Sequence, residues 1–361
     1  MLPYYALIIL PMILFVIGKQ ANIRTKLLSD ICMAMFFIVF IIILSVRSVD
    51  VGADSKNYYK MYREIGVLPW NKLFGYRVPL EYGNLVLQKL LNVLFGDSLF
   101  VFLFATSVIA VVPIWIFYSR RSEAPLLAIA LFISVAPFSM YFSGIRQIIA
   151  MGLGVVAWHF TKKKNVILFI LTVIFAVLFH RSAIVLVFMF PLYYLKIKRV
   201  WLAVIIPVIL VAFVFNKQII TLIYNLTGLY AENELALADT NAYGMLIILA
   251  MLTAFSFIVP NEKLMDKDAI ALRNLLVFSL IIQCFAPIHG LVMRFNYYYL
   301  IFVPITITQV LKFIDAKFAK LKTVFMWVMG VAFVGLFFYR AYFGGDQLKI
   351  FPYIPFWEVS Q

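Results

Sequence analysis

Hydrophobic residues along this chain gather in unbroken runs separated by short polar clusters, without the alternation of a half-buried strand. The runs lie near residues 2–17, 27–45, 98–118, 124–142, 146–161, 165–179, 183–195, 200–215, 243–260, 272–288, 293–311 and 323–339. A helix needs about 20 apolar residues to cross a bilayer, so the pattern predicts an all-α polytopic membrane protein of about twelve transmembrane helices. A membrane β-barrel would alternate lipid-facing and lumen-facing residues instead. The stretch "NLVLQKLLNVLFG" at 84–96 is apolar but short and carries Lys89. Counting it as a span would invert every later loop, so it reads as an interfacial or re-entrant helix. The whole of 1–361 forms one integral membrane domain, with two long outer segments at 46–97 and 216–242. Loops of that length in a compact protein are often functional.

Composition agrees. Hydrophobic residues make up 65% of the 361, mean hydropathy is +1.01, and only 13% are charged. A soluble domain carries about twice that charged fraction. The net charge of +15 would suggest nucleic acid in a soluble protein. Here a membrane topology explains it, and no nucleic-acid partner is expected. Basic clusters at Lys19/Arg24/Lys26, Arg120/Arg121, Lys162/Lys163/Lys164, Lys196/Lys198/Arg199, Lys263/Lys267/Arg273 and Lys312/Lys317/Lys320/Lys322 mark cytoplasmic loops by the positive-inside rule. Both termini then lie outside. The first run lacks a basic n-region and reads as a span, not a cleaved signal. Cys32 and Cys284 sit singly in apolar runs, with no metal-ligand spacing and no disulfide to argue. There is no Walker sequence and no glycine-rich phosphate loop.

The same topology sends most intramembrane polar residues to one side. Arg47 ends the second run, Arg146 and Gln147 begin another, His180 and Arg181 occupy a short turn, and His289 and Arg294 bracket a later one. All fall at the outer ends of their helices. A single arginine there can snorkel to lipid headgroups. Four arginines at outer positions, where positive-inside statistics least expect them, point instead to an anionic ligand at the membrane surface, such as a lipid pyrophosphate. His180 fits either a satisfied core histidine or a group that bonds substrate and moves a proton. His159, beside the lysine run, reads as structural.

Two further stretches carry candidates. In "RSVDVGADSKNYYKMYREIG" (47–66), Asp54 is expected to cap a helix starting near Ser55. Tyr58 and Tyr62 then share one face, as a surface amphipathic helix or as a platform for sugars. Arg77 and Glu81 follow in the same outer segment. In 216–242, Glu232, Glu234 and Asp239 suggest a loop that could touch an acceptor, while the sequon at Asn225 carries no weight.

Five motifs in order resemble the EpsG-like group of Wzy-type bacterial polysaccharide polymerases. They are Arg47 with "VGADSKNYYKMY", then "LEYGNLVLQKL", "SGIRQIIAMGL", "FHRSAIV" and "MRFNYYYLIFVP". The resemblance implies a multi-pass glycosyltransferase of the bacterial cytoplasmic membrane, related to GT-C enzymes, with its active site facing outward. It would polymerise undecaprenyl-pyrophosphate-linked oligosaccharide repeat units for O-antigen, capsule or exopolysaccharide, beside a flippase and a chain-length regulator. Activation resides in the lipid, so neither cofactor nor metal is implied. Arg146 is the catalytic expectation, with Asp54 as first choice of base, His180 as second, and Glu81 as third unless it orients Arg77 or a sugar. Arg47, Gln147, Arg181, Arg294, Tyr58, Tyr62, Glu81 and Tyr298 are the expected substrate contacts. Rival readings are a lipid-linked oligosaccharide flippase, an O-antigen ligase, and a membrane acyltransferase that decorates the polymer. The apolar middles of the runs disfavour the flippase, which needs polar groups along its path.

Overall fold

A computed structural model describes residues 1–76, 81–122, 124–227, 242–261, 263–264, 266–288, 290–344 and 348–358. Arg77, Glu232, Glu234, Asp239 and His289 lie outside them. Within them the regular structure is helical, with one isolated antiparallel bridge between Arg47 and Pro355. Its α-helices are α1 (Leu2–Gln20), α2 (Thr25–Val46), α3 (Ser55–Val67), α4 (Tyr82–Phe95), α5 (Leu99–Arg121), α6 (Pro125–Ser134), α7 (Met140–Ser143), α8 (Ile145–Lys162) and α9 (Val166–Val177). After a 3-10 helix at Arg181–Phe188 come α10 (Met189–Tyr194), α11 (Leu202–Val214), α12 (Asn216–Thr227), α13 (Tyr243–Ser256), α14 (Lys267–Gln283), α15 (Gly290–Leu300), α16 (Val303–Lys312) and α17 (Ala319–Phe343).

Among the described residues, four helices are long and apolar enough to cross a membrane unaided: α1, α2, α5 and Ala316–Phe343. Their outward faces carry large apolar side chains, such as Ile17, Ile42, Phe104 and Val331, as lipid solvent allows. Each of the twelve apolar runs carries helix, yet several are broken. Run 124–142 divides into α6 and α7 around Pro137, and run 293–311 into α15 and α16 ahead of Pro304. Run 183–195 begins as 3-10 helix, and α12 turns away from α11 by 76°. Residues 216–227, expected as the start of a loop, are helical.

A break in a membrane helix strands backbone carbonyls, which must find partners inside the protein. They do. Arg340 on α17 donates to the carbonyl of Ser134 at the end of α6 (3.0 Å). Tyr118 on α5 donates to Ile301 between α15 and α16 (2.7 Å), and Tyr299 to Val185 in the 3-10 helix (2.7 Å). Aromatic packing fills the core between α1, α2, α6 and α7, where Tyr4, Phe36, Phe40, Phe132, Phe138 and Phe142 meet mostly edge to face.

Outside these helices, α3 and α4 pack together as a separate small layer over Ile65, Leu73 and Leu85. Lys89 is neither free nor lipid-facing: its ammonium donates to the carbonyls of Gly66 and Leu68, both at 2.7 Å. The segment 48–53 is held from the far end of the chain. Ser48, Gly52 and Ala53 donate to the carbonyls of Ile354, Lys349 and Leu348 at 2.7–2.8 Å. Gly52 has φ +100°, and a Cβ there would lie 2.0 Å from the Phe142 carbonyl oxygen, so only glycine brings this turn against α7.

Candidate active site

The first turn of α8 begins at Gly144 and projects Arg146 and Gln147. Arg146 Nη1 meets Glu81 Oε2 at 2.5 Å, and Nε donates to the Tyr58 hydroxyl at 3.0 Å. A guanidinium has five N–H donors. Two of these contacts fix the fork, and Nη2 has no partner among the described residues. The side chain is 23% exposed, so the free edge is reachable.

Glu81 is the hub. It occupies the cap position of α4 without capping it with its side chain. Besides Arg146, its Oε1 accepts the backbone N–H of Arg181 (3.2 Å) and stands 3.4 Å from His180 Nδ1. Burial alone would raise this carboxyl. The His180 imidazole, the Arg146 guanidinium and the Arg181 N–H outweigh it and hold the pKa at about 2. Gly83 makes the meeting possible. Its N–H donates to the Leu178 carbonyl at 2.8 Å, and a Cβ would sit 2.8 Å from that same oxygen. Any side chain would hold the start of α4 away from the end of α9, and with it Glu81 from His180.

Two more bonds complete the ring of elements. Gln147 Nε2 donates to the Arg294 carbonyl at 2.6 Å, and the hydroxyls of Ser182 and Tyr298 share a bond of 3.1 Å. The arginines at 146, 181 and 294 therefore stand on three neighbouring elements, and Arg181 and Arg294 are exposed. Tyr58 is buried, and burial pushes its hydroxyl up. Arg146 opposes that shift, whereas the Asp54 and Glu81 charges add to it.

Three expectations need correction. Arg47 does not join the cluster. It is 1% exposed and enclosed by backbone, donating to the carbonyls of Leu44 and Phe142, with its guanidinium 5.7 Å from the Phe142 ring centre. It fastens α2 to α7. Tyr62 is likewise core: its ring stacks on Phe102 at 4.6 Å and its hydroxyl donates to Gly96, leaving no face for a sugar. Asp54 holds the cap position of α3, but its carboxylate accepts no cap hydrogen bond; it is exposed one turn before Tyr58.

The EpsG family model matches residues 30–354. The chain belongs to the EpsG family. No curated protein and no solved structure matches it. EpsG proteins are a family of polysaccharide polymerases, and this one is an all-α membrane protein. The matched span contains every residue of the cluster from Tyr58 to Tyr298. Sequence reasoning about this EpsG chain missed Ser182, although it follows the His180–Arg181 pair directly. It also underrated Glu81, whose only local sign is the glycine two residues on.

Proposed function

We propose that this EpsG protein polymerises polysaccharide from lipid-pyrophosphate-linked repeat units, at the membrane face that carries Arg146, on a scaffold related to GT-C glycosyltransferases. The observation that carries this reading is the Arg146–Glu81 pair, which fixes a guanidinium with a free edge, while Arg181 and Arg294 are exposed on adjacent elements. The acceptor hydroxyl attacks the anomeric carbon of the donor glycan. The bond to the pyrophosphate oxygen breaks, and its electron pair leaves on the lipid pyrophosphate. In this reading Arg146 Nη2, Arg181 and Arg294 hold that developing charge, with less competing hydration than in open water. Tyr58 and Glu81 prevent the fork from turning away.

The acceptor proton goes to His180. Its Nδ1 stands 3.4 Å from the Glu81 carboxylate without a hydrogen bond, and closing that distance on substrate binding would orient the imidazole to act through Nε2. Glu81, held near pKa 2, is too weak a base for this step. The positive-inside distribution of the basic clusters favours the outer face for the reaction, with the enzyme resident in the bacterial cytoplasmic membrane.

The test incubates purified protein with an undecaprenyl-pyrophosphate-linked repeat unit, without nucleotide, and sizes the glycan. Wild type is expected to give long chains. The H180Q variant is expected to slow them about a hundredfold, and D54N far less. Failure of folded wild-type protein to lengthen any lipid-linked glycan would overturn the proposal.

A further inference from the structure

Arg146 lies in the first turn of α8 and Lys162 in the last, so the helix separates them by about 24 Å at 1.5 Å per residue. At the Lys162 end, basic clusters far apart in sequence converge on one cleft of about 480 Å³. Lys26, Arg120, Arg121, Lys162, Lys163 and Lys312 line it, against two carboxylates among the described residues, Asp266 and Asp268.

Both carboxylates are already committed. Asp268 is buried and receives Arg121, Lys162 and the Tyr193 hydroxyl at 2.7, 2.7 and 2.5 Å, while Asp266 accepts the Asp268 N–H as the cap of α14. Arg121 is further pinned between the rings of Phe117 and Trp158. These contacts build a rigid floor. Arg120 and Lys163, both exposed, have no carboxylate partner among the described residues. Loops that merely set topology need charge, not a floor of this kind.

The cleft does not end in water alone. Arg120, Arg121 and His159 also line an adjoining hollow of about 350 Å³ between α5 and α8, where Val112, Ile116, Val155 and Val156 give it apolar walls. A soluble phosphate would use the basic cleft and leave the hollow empty. A molecule with an anionic head and a hydrocarbon tail fills both.

We propose that this cleft and hollow bind one anionic phospholipid. Its phosphate lies among Arg120, Arg121 and Lys163, and an acyl chain runs along α5 and α8. Basic pockets between membrane helices suit such headgroups, each cation near the phosphate adding to the attraction. The site lies at the opposite end of α8 from Arg146 and takes no part in glycan transfer.

Native mass spectrometry of the detergent-purified protein, offered equal phosphatidylglycerol and phosphatidylcholine, tests this. Wild type is expected to retain phosphatidylglycerol selectively. R120A/K163A should lower that retention about thirtyfold, since two cations leave one phosphate. K317A/K320A removes as much charge from lysines that follow Lys312 but do not line the cleft, and should change nothing. V156W fills the hollow and should weaken lipid retention with every cation in place. All variants keep the Asp268 floor, and their elution as wild type would confirm folding. Equal retention of both lipids overturns the proposal, as does an R120A/K163A or V156W protein that binds like wild type, or a K317A/K320A protein that loses lipid equally. Displacement of the lipid by millimolar inorganic pyrophosphate also overturns it, in favour of a free polyphosphate site.

Discussion

Arg146 and Glu81, 65 residues apart, form an ion pair of 2.5 Å that joins the first turn of α8 to the start of α4. The contact fixes a cation without consuming all its donors. Groups that act as such a unit are not additive when removed.

Replacing Arg146 by alanine is therefore expected to lower the polymerisation rate about a hundredfold or more, some 3 kcal/mol of transition-state stabilisation. Lysine keeps the charge but loses the fork, and should recover little. E81Q should cost about tenfold, and the R146A/E81Q double variant should be no slower than R146A. Initial rates of the four proteins on one lipid-linked substrate check this; additive losses would show that the pair does not work together.

The pH behaviour of Glu81 follows from its depressed pKa of about 2. A carboxyl lowered by folding adds stability that is fully present above its unfolded value and disappears as pH falls towards the folded one. From pH 8 to pH 5 the pair with Arg146 stays intact, so an acid limb of activity in that window does not come from Glu81. An E81Q profile that still shows an acid limb in that window, below a lower plateau, would place the limb on a group other than Glu81.

Tyr58 and Tyr62 lie one turn apart but should part in their effects. Y58F removes the hydroxyl that receives Arg146 Nε and should reduce rate about tenfold with little change in stability. Y62F loses one hydrogen bond to Gly96, about 1 kcal/mol of stability, and should turn over normally. Thermal unfolding in detergent and initial rates, measured on the same samples, separate the two.

How far the chain could be read from its pattern depended on the range of the forces involved. Apolar runs mark helices because burial in lipid acts on each run by itself, so α1, α2, α5 and α17 were legible. The breaks around Pro137 and Pro304 were not, because the groups that tolerate them, Arg340 and Tyr118, come from elsewhere in the chain. Arg146, His180 and Arg181 stood out as polar residues in apolar surroundings. Arg47 looked identical by that criterion, and only three-dimensional packing shows that backbone carbonyls enclose it. The role of Glu81 was hidden for the same reason: its partners lie 65 to 100 residues away.

Gly83 offers a test of placement without touching a polar group. G83A adds one methyl 2.8 Å from the Leu178 oxygen, a backbone atom with little room to yield. It should cost about 1–3 kcal/mol of stability and move Glu81 off His180 and Arg181. The expected outcome is a folded protein whose rate falls about as much as that of E81Q. A G83A protein as fast as wild type would show that this close approach does not matter to the reaction.

The hydrogen bonds from Ser48, Gly52 and Ala53 to residues 348–354 carry a consequence for biogenesis. A ribosome makes the two halves of this clasp some 300 residues apart. The turn ahead of Asp54 must wait, inserted but unfastened, until the last helix has been threaded and the tail returns to it. Catalytic competence would then arrive in a single late step, and a nascent chain still tethered to the translocon would be an inert one.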